Sequence, residues 1–331
     1  MIGLLHPASP LLQLMLAAAA SWLLLAGLLP LLQRRLLDQP NARSSHSRPT
    51  PRGGGLAFVL VACLAWLLLG SWSLLWCLPL ALVGLLDDWR GLPVGLRYGA
   101  QVATAAVLLL HTRLPGLEPW SWLALLLLIA ATAVINFSNF MDGLDGLVGA
   151  CMAVVLAAAA LGGRPELWPL IGALLGFLPW NWSPARVFMG DAGSTFLGAV
   201  LVATLLGCRS WGQAFGLLLV ASPLLADAAS CVLRRCWAGQ SLLKAHRLHL
   251  YQRLQQAGWS HRRVSSVYAA ATALLAALLR LGGWPWALFG AVLVLPLGLR
   301  LESAVAVPFA AAAGSASRSP AGPQRSTTPP C

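Results

Sequence analysis

Eleven apolar runs separated by short polar stretches divide the chain between residues 11 and 299. Measured against the roughly 20 mainly apolar residues that cross a hydrocarbon core, they predict helices near 11–33, 54–70, 72–86, 99–112, 120–136, 146–162, 166–180, 195–208, 212–232, 264–280 and 284–299. Several runs are short for a span, so their helices must extend into flanking polar residues or be held by neighbours. Every backbone polar group inside a bilayer needs an internal partner, which leaves helices as the only element this pattern admits. The predicted fold is all-α. It is a polytopic bundle of about 11 transmembrane helices over residues 1–313, followed by a Pro/Ser-rich, disordered cytoplasmic tail at 314–331.

Hydrophobic residues make up 58% of the chain and charged residues 10%, whereas about a quarter of a soluble domain is charged. With a mean hydropathy of +0.75, a soluble enzyme is excluded. The first run has no positive charge before it and is followed by Arg34 and Arg35, the reverse of a cleavable signal peptide. It is expected to be retained as the first helix, with a periplasmic N-terminus. On that topology all but four of the 22 Lys and Arg residues (Arg113, Arg164, Arg209 and Arg280) face the cytoplasm, as the positive-inside rule requires. Trp72, Trp76, Trp120, Trp122, Trp168, Trp211, Trp284 and Trp286 then lie at the outer interface. The net charge of +12 suits anionic lipid or anionic substrates; no nucleic-acid partner is expected. The cysteines show no metal-ligand spacing and read as small core hydrophobes.

Five polar islands, at 41–55, 87–88, 136–146, 181–194 and 246–253, all fall on that inner face and hold five of the ten carboxylates. Adjacent side chains on a helix point about 100° apart, so Asp87 and Asp88 are expected to divide their work. One holds Mg²⁺ or water and the other accepts a proton or orients a neighbour. Asn136, Asn139, Asp142 and Asp145 recur at steps of three, one broad face if helical, and suit a uracil ring, a ribose or hydrated Mg²⁺. Asp191, in Gly190-Asp-Ala-Gly-Ser194, stands where a helix start offers free N–H groups to an anion. Arg43, Arg48 and Arg52 ahead of Gly53-Gly54-Gly55 read as a polyanion cradle, or more simply as a positive anchor with a glycine contact between helices. His246 and His249 share a face if helical; zinc would need further ligands, and none is near in sequence, so phosphate binding or proton handling is the preferred reading.

In this combination and order, residues 40–260 resemble the polyprenyl-phosphate N-acetylhexosamine-1-phosphate transferases, the superfamily of phospho-N-acetylmuramoyl-pentapeptide transferase and of the enzymes that initiate O-antigen. The resemblance implies Mg²⁺-dependent transfer of a sugar 1-phosphate from a UDP-N-acetylhexosamine to undecaprenyl phosphate, releasing UMP, at the cytoplasmic side of a bacterial inner membrane. Mn²⁺ is the alternative cofactor, membrane lipids are partners, and a homodimer is allowed. Position by position, Asp87, Asp88, Asp191, His246 and His249 match catalytic positions, with Asp191 and Asp88 on the metal. Arg97 matches a phosphate-holding position. Asn139, Asp142 and Asp145 match the nucleotide-site motif, and Asn181 and Phe188 match positions that hydrogen-bond and stack on uracil. Arg48 or Arg52 stands where the muramoyl branch has a lysine. That branch also carries three consecutive histidines where this chain has His246-Arg-Leu-His249, so the resemblance leans toward O-antigen initiating enzymes, with donors such as UDP-GlcNAc, UDP-FucNAc or UDP-QuiNAc. Two rival classes remain: an ion-coupled transporter, whose sites favour broken helices at the bilayer midplane, and a non-catalytic polybasic scaffold.

Overall fold

A computed structural model describes residues 9–40, 45–46, 48–118, 120–241 and 246–318. In chain order it contains α1 (Pro10–Arg35), a two-stranded antiparallel ribbon of β1 (Leu37–Asp38) and β2 (Thr50–Pro51), then α2 (Gly55–Leu69), α3 (Leu78–Arg90) and α4 (Val94–Leu110). Next come α5 (Trp122–Phe140), α6 (Leu147–Leu161), α7 (Trp168–Asn181) and α8 (Gly190–Leu206). The chain continues through α9 (Trp211–Val220), α10 (Ser222–Trp237), α11 (Leu250–Gln256), α12 (His261–Val305) and α13 (Phe309–Arg318). A helix stands at each of the eleven predicted positions. The small ribbon, in the island between α1 and α2, is the one departure from an all-helical chain among the described residues.

Local sequence accounts for the helix limits. Ser9, Ser121, Ser210 and Ser260 each accept a backbone N–H from the first turn of α1, α5, α9 and α12, the role for which a hydroxyl is favoured at this position. The predicted helix 212–232 is bent by 75° between α9 and α10; Pro223, in the first turn of α10, has no N–H to return to α9. Within α12, Gly282 and Gly283 leave helical geometry, Gly283 at φ 71°, so the two predicted helices 264–280 and 284–299 meet at a break that glycine allows. α13 continues to Arg318, past residue 313; residues 319–331 lie outside the described residues, as does Arg43.

Four segments, α1, Trp72–Arg90, α5 and α12, are long and apolar enough to cross a membrane among the described residues, and the bent α9–α10 pair makes a fifth. Shorter apolar helices α2, α4, α6 and α8 pack among them. The chain is a polytopic helical membrane protein. α8 is its axis: nearly every residue from Ala192 to Leu206 is buried, and α2, α3, α4, α5, α6 and α9 all pack on it. By contrast, α1, α5 and α12 expose large apolar side chains such as Leu23, Ile129 and Val292, a surface suited to lipid.

The C-terminal ends of α3, α5 and α7 meet the N-terminal ends of α4, α6 and α8, joined by Arg97–Asp87, Asn139–Asp191 and Gly146–Asn181 hydrogen bonds. At the opposite end Arg113 N–H and the Arg164 guanidinium bond the Leu206 and Thr204 carbonyls of α8.

Candidate active site

Two close backbone approaches bring α3 and the start of α8 together. A Cβ on Gly84 of α3 would lie 2.4 Å from the Asp191 carbonyl oxygen, so only glycine lets the helices touch there. Gly190 has φ 71°, and a Cβ on it would lie 2.4 Å from Asp88 Oδ2. The Gly54 and Gly55 N–H groups donate to the Phe188 and Met189 carbonyls, each at 2.9 Å. These donors fasten α2 to the 181–190 loop and are not free to cradle an anion.

Asp87 and Asp88 do face different ways. Asp87 accepts the Leu92 N–H at 2.6 Å and Arg97 Nη1 at 2.8 Å. Arg97 Nη1 also lies 3.7 Å from Asp191 Oδ2. Asp88 is buried; its Oδ2 accepts the Ala192 N–H at 3.3 Å and its Oδ1 lies 3.7 Å from Arg52 Nε. The anion at the N-terminus of α8 is thus the protein's own carboxylate. Asn139 donates to Asp191 Oδ1 and to Ser194 Oγ, both at 2.9 Å.

The helical face predicted for Asn136 through Asp145 is not formed, because α5 ends at Phe140 and α6 begins at Leu147. Asn136 donates to Gln101, while Asp142 and Asp145 sit in the connecting turn. Burial, and then the charges of Asp191, Asp88 and Asp145, push the Asp142 carboxyl well above the usual range. Burial also pushes Asp145 upward, but His261, 3.1 Å away, together with the Ala185 N–H outweighs it and holds that carboxyl low. His261 Nε2 meets the Ser45 carbonyl at 3.0 Å. Asn181 has both ends of its amide engaged, accepting the Gly146 N–H at 3.1 Å and donating to the Val187 carbonyl at 3.0 Å.

These residues enclose two cavities. The larger, about 440 Å³, is polar, with Arg52, His46, Phe188, Asp142, Gln252 and His261 on its walls, and falls in the range of roughly 300–1,000 Å³ usual for small-molecule sites. The smaller, about 60 Å³, lies among α3, α4, α5 and α8, with Asp87, Arg97, Tyr98 and Asn139 beside the apolar Leu80, Val83 and Phe140. Asp88 lines the first cavity, Asp87 the second, and Asp191 both.

Arg52 lines the polar cavity, whereas Arg48 is exposed and stands off it. His246 and His249 line neither cavity. They are not on a helix: α11 begins after His249, whose ring stacks on Tyr251 at 5.5 Å and lies 3.8 Å from the Asp227 carboxylate. Burial, then His249 and Arg235, hold His246 down to about 3. The histidines on the cavity wall are instead His46 and His261, which sequence reading passed over. Each is a lone residue in its segment; the only signal was that His261 follows the Ser260 cap at the inner end of a predicted helix.

The sequence profile of glycosyl transferase family 4 matches residues 71–208, which include Asp87, Asp88, Asp142 and Asp191. The chain is 32% identical to the phospho-N-acetylmuramoyl-pentapeptide-transferase of Synechococcus sp. (strain JA-3-3Ab), over 82% of this chain and 90% of the relative. It is 33% identical to the decaprenyl-phosphate N-acetylglucosaminephosphotransferase of Mycobacterium leprae (strain TN), over 75% and 78% respectively. A probable undecaprenyl-phosphate N-acetylglucosaminyl 1-phosphate transferase of Bacillus subtilis (strain 168) is 27% identical over 68% of this chain and 71% of its own length. With the converged carboxylates and this extent of similarity, the chain belongs to glycosyl transferase family 4, the superfamily of polyprenyl-phosphate N-acetylhexosamine-1-phosphate transferases.

Proposed function

We propose that this protein transfers N-acetylhexosamine 1-phosphate from a UDP-sugar to undecaprenyl phosphate at the cytoplasmic face of a bacterial inner membrane, starting an O-antigen or another cell-envelope polysaccharide. The observation that carries the proposal is Asp191, which lies on the wall common to a polar cavity and a smaller one bordered by apolar residues. Two anionic substrates of unlike character, one a nucleotide and one a lipid, must meet at one point. Asp191 marks it.

The donor set fits a hard divalent cation. Asp87, Asp88, Asp142 and Asp191 gather around two guanidiniums, Arg52 and Arg97, leaving two negative charges for an ion to balance, and all the ligands are oxygens. Asp191, held by Asn139, would be the principal ligand, with Asp88 beside it. Mg²⁺, or Mn²⁺ in its place, supplies neutralisation of the pyrophosphate oxygens.

The remaining work belongs to the chain. Arg97 and Tyr98 receive the lipid phosphate, and Arg52, Phe188 and His261 hold the nucleotide end. Phosphate oxygen attacks the sugar-bearing phosphorus directly. One P–O bond forms as the bond to UMP breaks, Asp87 takes any proton the lipid phosphate carries, and the sugar C1–O bond stays intact. Positioning and electrostatics dominate such a reaction. A second reading, UDP-MurNAc-pentapeptide as donor, is favoured by the Synechococcus relative. Purified protein supplied with undecaprenyl phosphate and a donor panel separates the two. Mg²⁺-dependent UMP release with a simple UDP-N-acetylhexosamine supports the first, release with the pentapeptide donor the second, and full turnover by Asp191→Asn refutes both.

A further inference from the structure

His246 and His249, displaced from the cavities, meet a third metal-binding side chain that sequence spacing could not connect to them. Cys231 on α10 comes beside both rings, and one donor atom from each of the three residues lies within 4.8 Å of the others. The two rings are 5.1 Å apart, and Cys231 and His249 are 2% and 3% exposed. Beside them His249 Nδ1 is buried without a hydrogen-bond partner and has Asp227 Oδ1 at 3.8 Å.

We propose that Cys231, His246 and His249 form a binding site for a thiophilic transition-metal ion of the zinc class, distinct from the carboxylate centre. One thiolate and two imidazoles are a donor set for Zn²⁺ and its analogue Co²⁺, and a poor one for Mg²⁺. His246 Nδ1 accepts the Leu248 N–H at 3.3 Å, which leaves Nε2 of that ring to the ion, while His249 keeps a buried nitrogen with no hydrogen-bond partner and Asp227 3.8 Å from it. Asp227 is itself fixed by the Leu250 and Tyr251 N–H groups at 2.7 and 3.1 Å and by the Tyr268 hydroxyl at 2.6 Å, the outer carboxylate commonly found behind a zinc-bound histidine. Bond lengths of roughly 2.0–2.3 Å place tetrahedral donors about 3.5 Å apart, so loading draws the three atoms together by about an ångström. The fourth position is left to water.

Such an ion would tie α10 to the segment leading into α11. From there Tyr251 stacks on His249 and donates to the Phe140 carbonyl at 2.9 Å, while Gln252 reaches the polar cavity. Metal at this place fastens one wall of that cavity.

Tag-free protein stripped of metal and titrated with Co²⁺ in excess Mg²⁺ tests the site without reference to turnover. The expected result is one equivalent bound, a thiolate-to-cobalt charge-transfer band, and a metal shell of one sulfur with nitrogen and oxygen by X-ray absorption. Cys231→Ser should abolish the band, Cys236→Ser should keep it, and Asp227→Asn should weaken binding about 10–100-fold. A band that survives Cys231→Ser overturns the proposal. So does a sulfur-free shell in the unmutated protein, a measurement that does not depend on any variant folding.

Discussion

Asp88 of α3 caps a helix that is not its own, its Oδ2 accepting the Ala192 N–H of α8 at 3.3 Å. Loss of a capping side chain costs about 1 kcal/mol, and here it also frees the turn that carries Asp191. Asp88→Ala should lower both the unfolding temperature and turnover. Asp88→Asn keeps a capping oxygen and should lower turnover with a smaller thermal loss. Thermal melts of the two variants in one detergent check this; equal melting of Asp88→Ala and wild type would remove the capping role.

Gly84→Ala should be damaging for a purely steric reason, since its Cβ would press on the Asp191 carbonyl oxygen at 2.4 Å. Overpacking of this kind costs about 1–3 kcal/mol, and turnover should fall at least as far as stability. Gly99→Ala on α4, with nothing within 4 Å of the added carbon, is the matched control and should behave as wild type.

Arg97 joins Asp87 to Asp191. Removing a charged hydrogen-bond partner costs roughly 1.5–3 kcal/mol, so Arg97→Ala should raise KM for the lipid phosphate about 10–100-fold, with Arg97→Lys between. Initial rates at varied acceptor and fixed donor measure it. An effect confined to the donor KM would contradict the assignment of the smaller cavity.

Phe188 tests the other cavity. Stacking on a base is worth about 1–3 kcal/mol by alanine substitution. Phe188→Ala should therefore raise the donor KM and leave the acceptor KM alone, while Phe188→Trp should retain most of the affinity.

The turn between α5 and α6 gives a pH prediction with two signs. Burial and neighbouring carboxylates raise Asp142, so the metal-free protein loses stability as pH climbs above the ordinary Asp value of about 3.9. Asp145 is held low, and its contribution disappears only on acidification below that value. The Asp142 contribution to the EDTA melt should therefore fall between about pH 5 and about pH 8, against the opposite slope of His246, which is held down to about 3. Asp142→Asn should flatten this slope, and Mg²⁺ should raise the neutral-pH melt in wild type but not in Asp191→Asn. EDTA melts of wild type and Asp142→Asn that vary identically with pH would count against a carboxylate cluster awaiting a cation.

Helix positions were legible because hydrophobic runs and Gly, Pro or Ser boundaries are local properties; Gly282-Gly283 separated two helices in sequence as in space. The bend at Ala221 escaped the pattern, since apolar character continues through it and Pro223 is tolerated in a first turn. Asp87, Asp88, Asp142 and Asp191 stood out as candidates because carboxylates beside apolar helix have few other uses. What could not be read was orientation. A regular spacing of three suggested one face for Asn136 to Asp145, yet the chain leaves the helix at Phe140. His46, His261 and Cys231 gain their neighbours only through long-range packing, so neither composition nor spacing marks them.

The shared wall at Asp191 has a consequence for inhibition. A compound long enough to bridge both chambers must run past this carboxylate, and on the role proposed for Asp191 an organism that evades such a compound by altering it would surrender its own turnover. Resistance should then arise at the periphery, where side chains can change without touching the point of transfer.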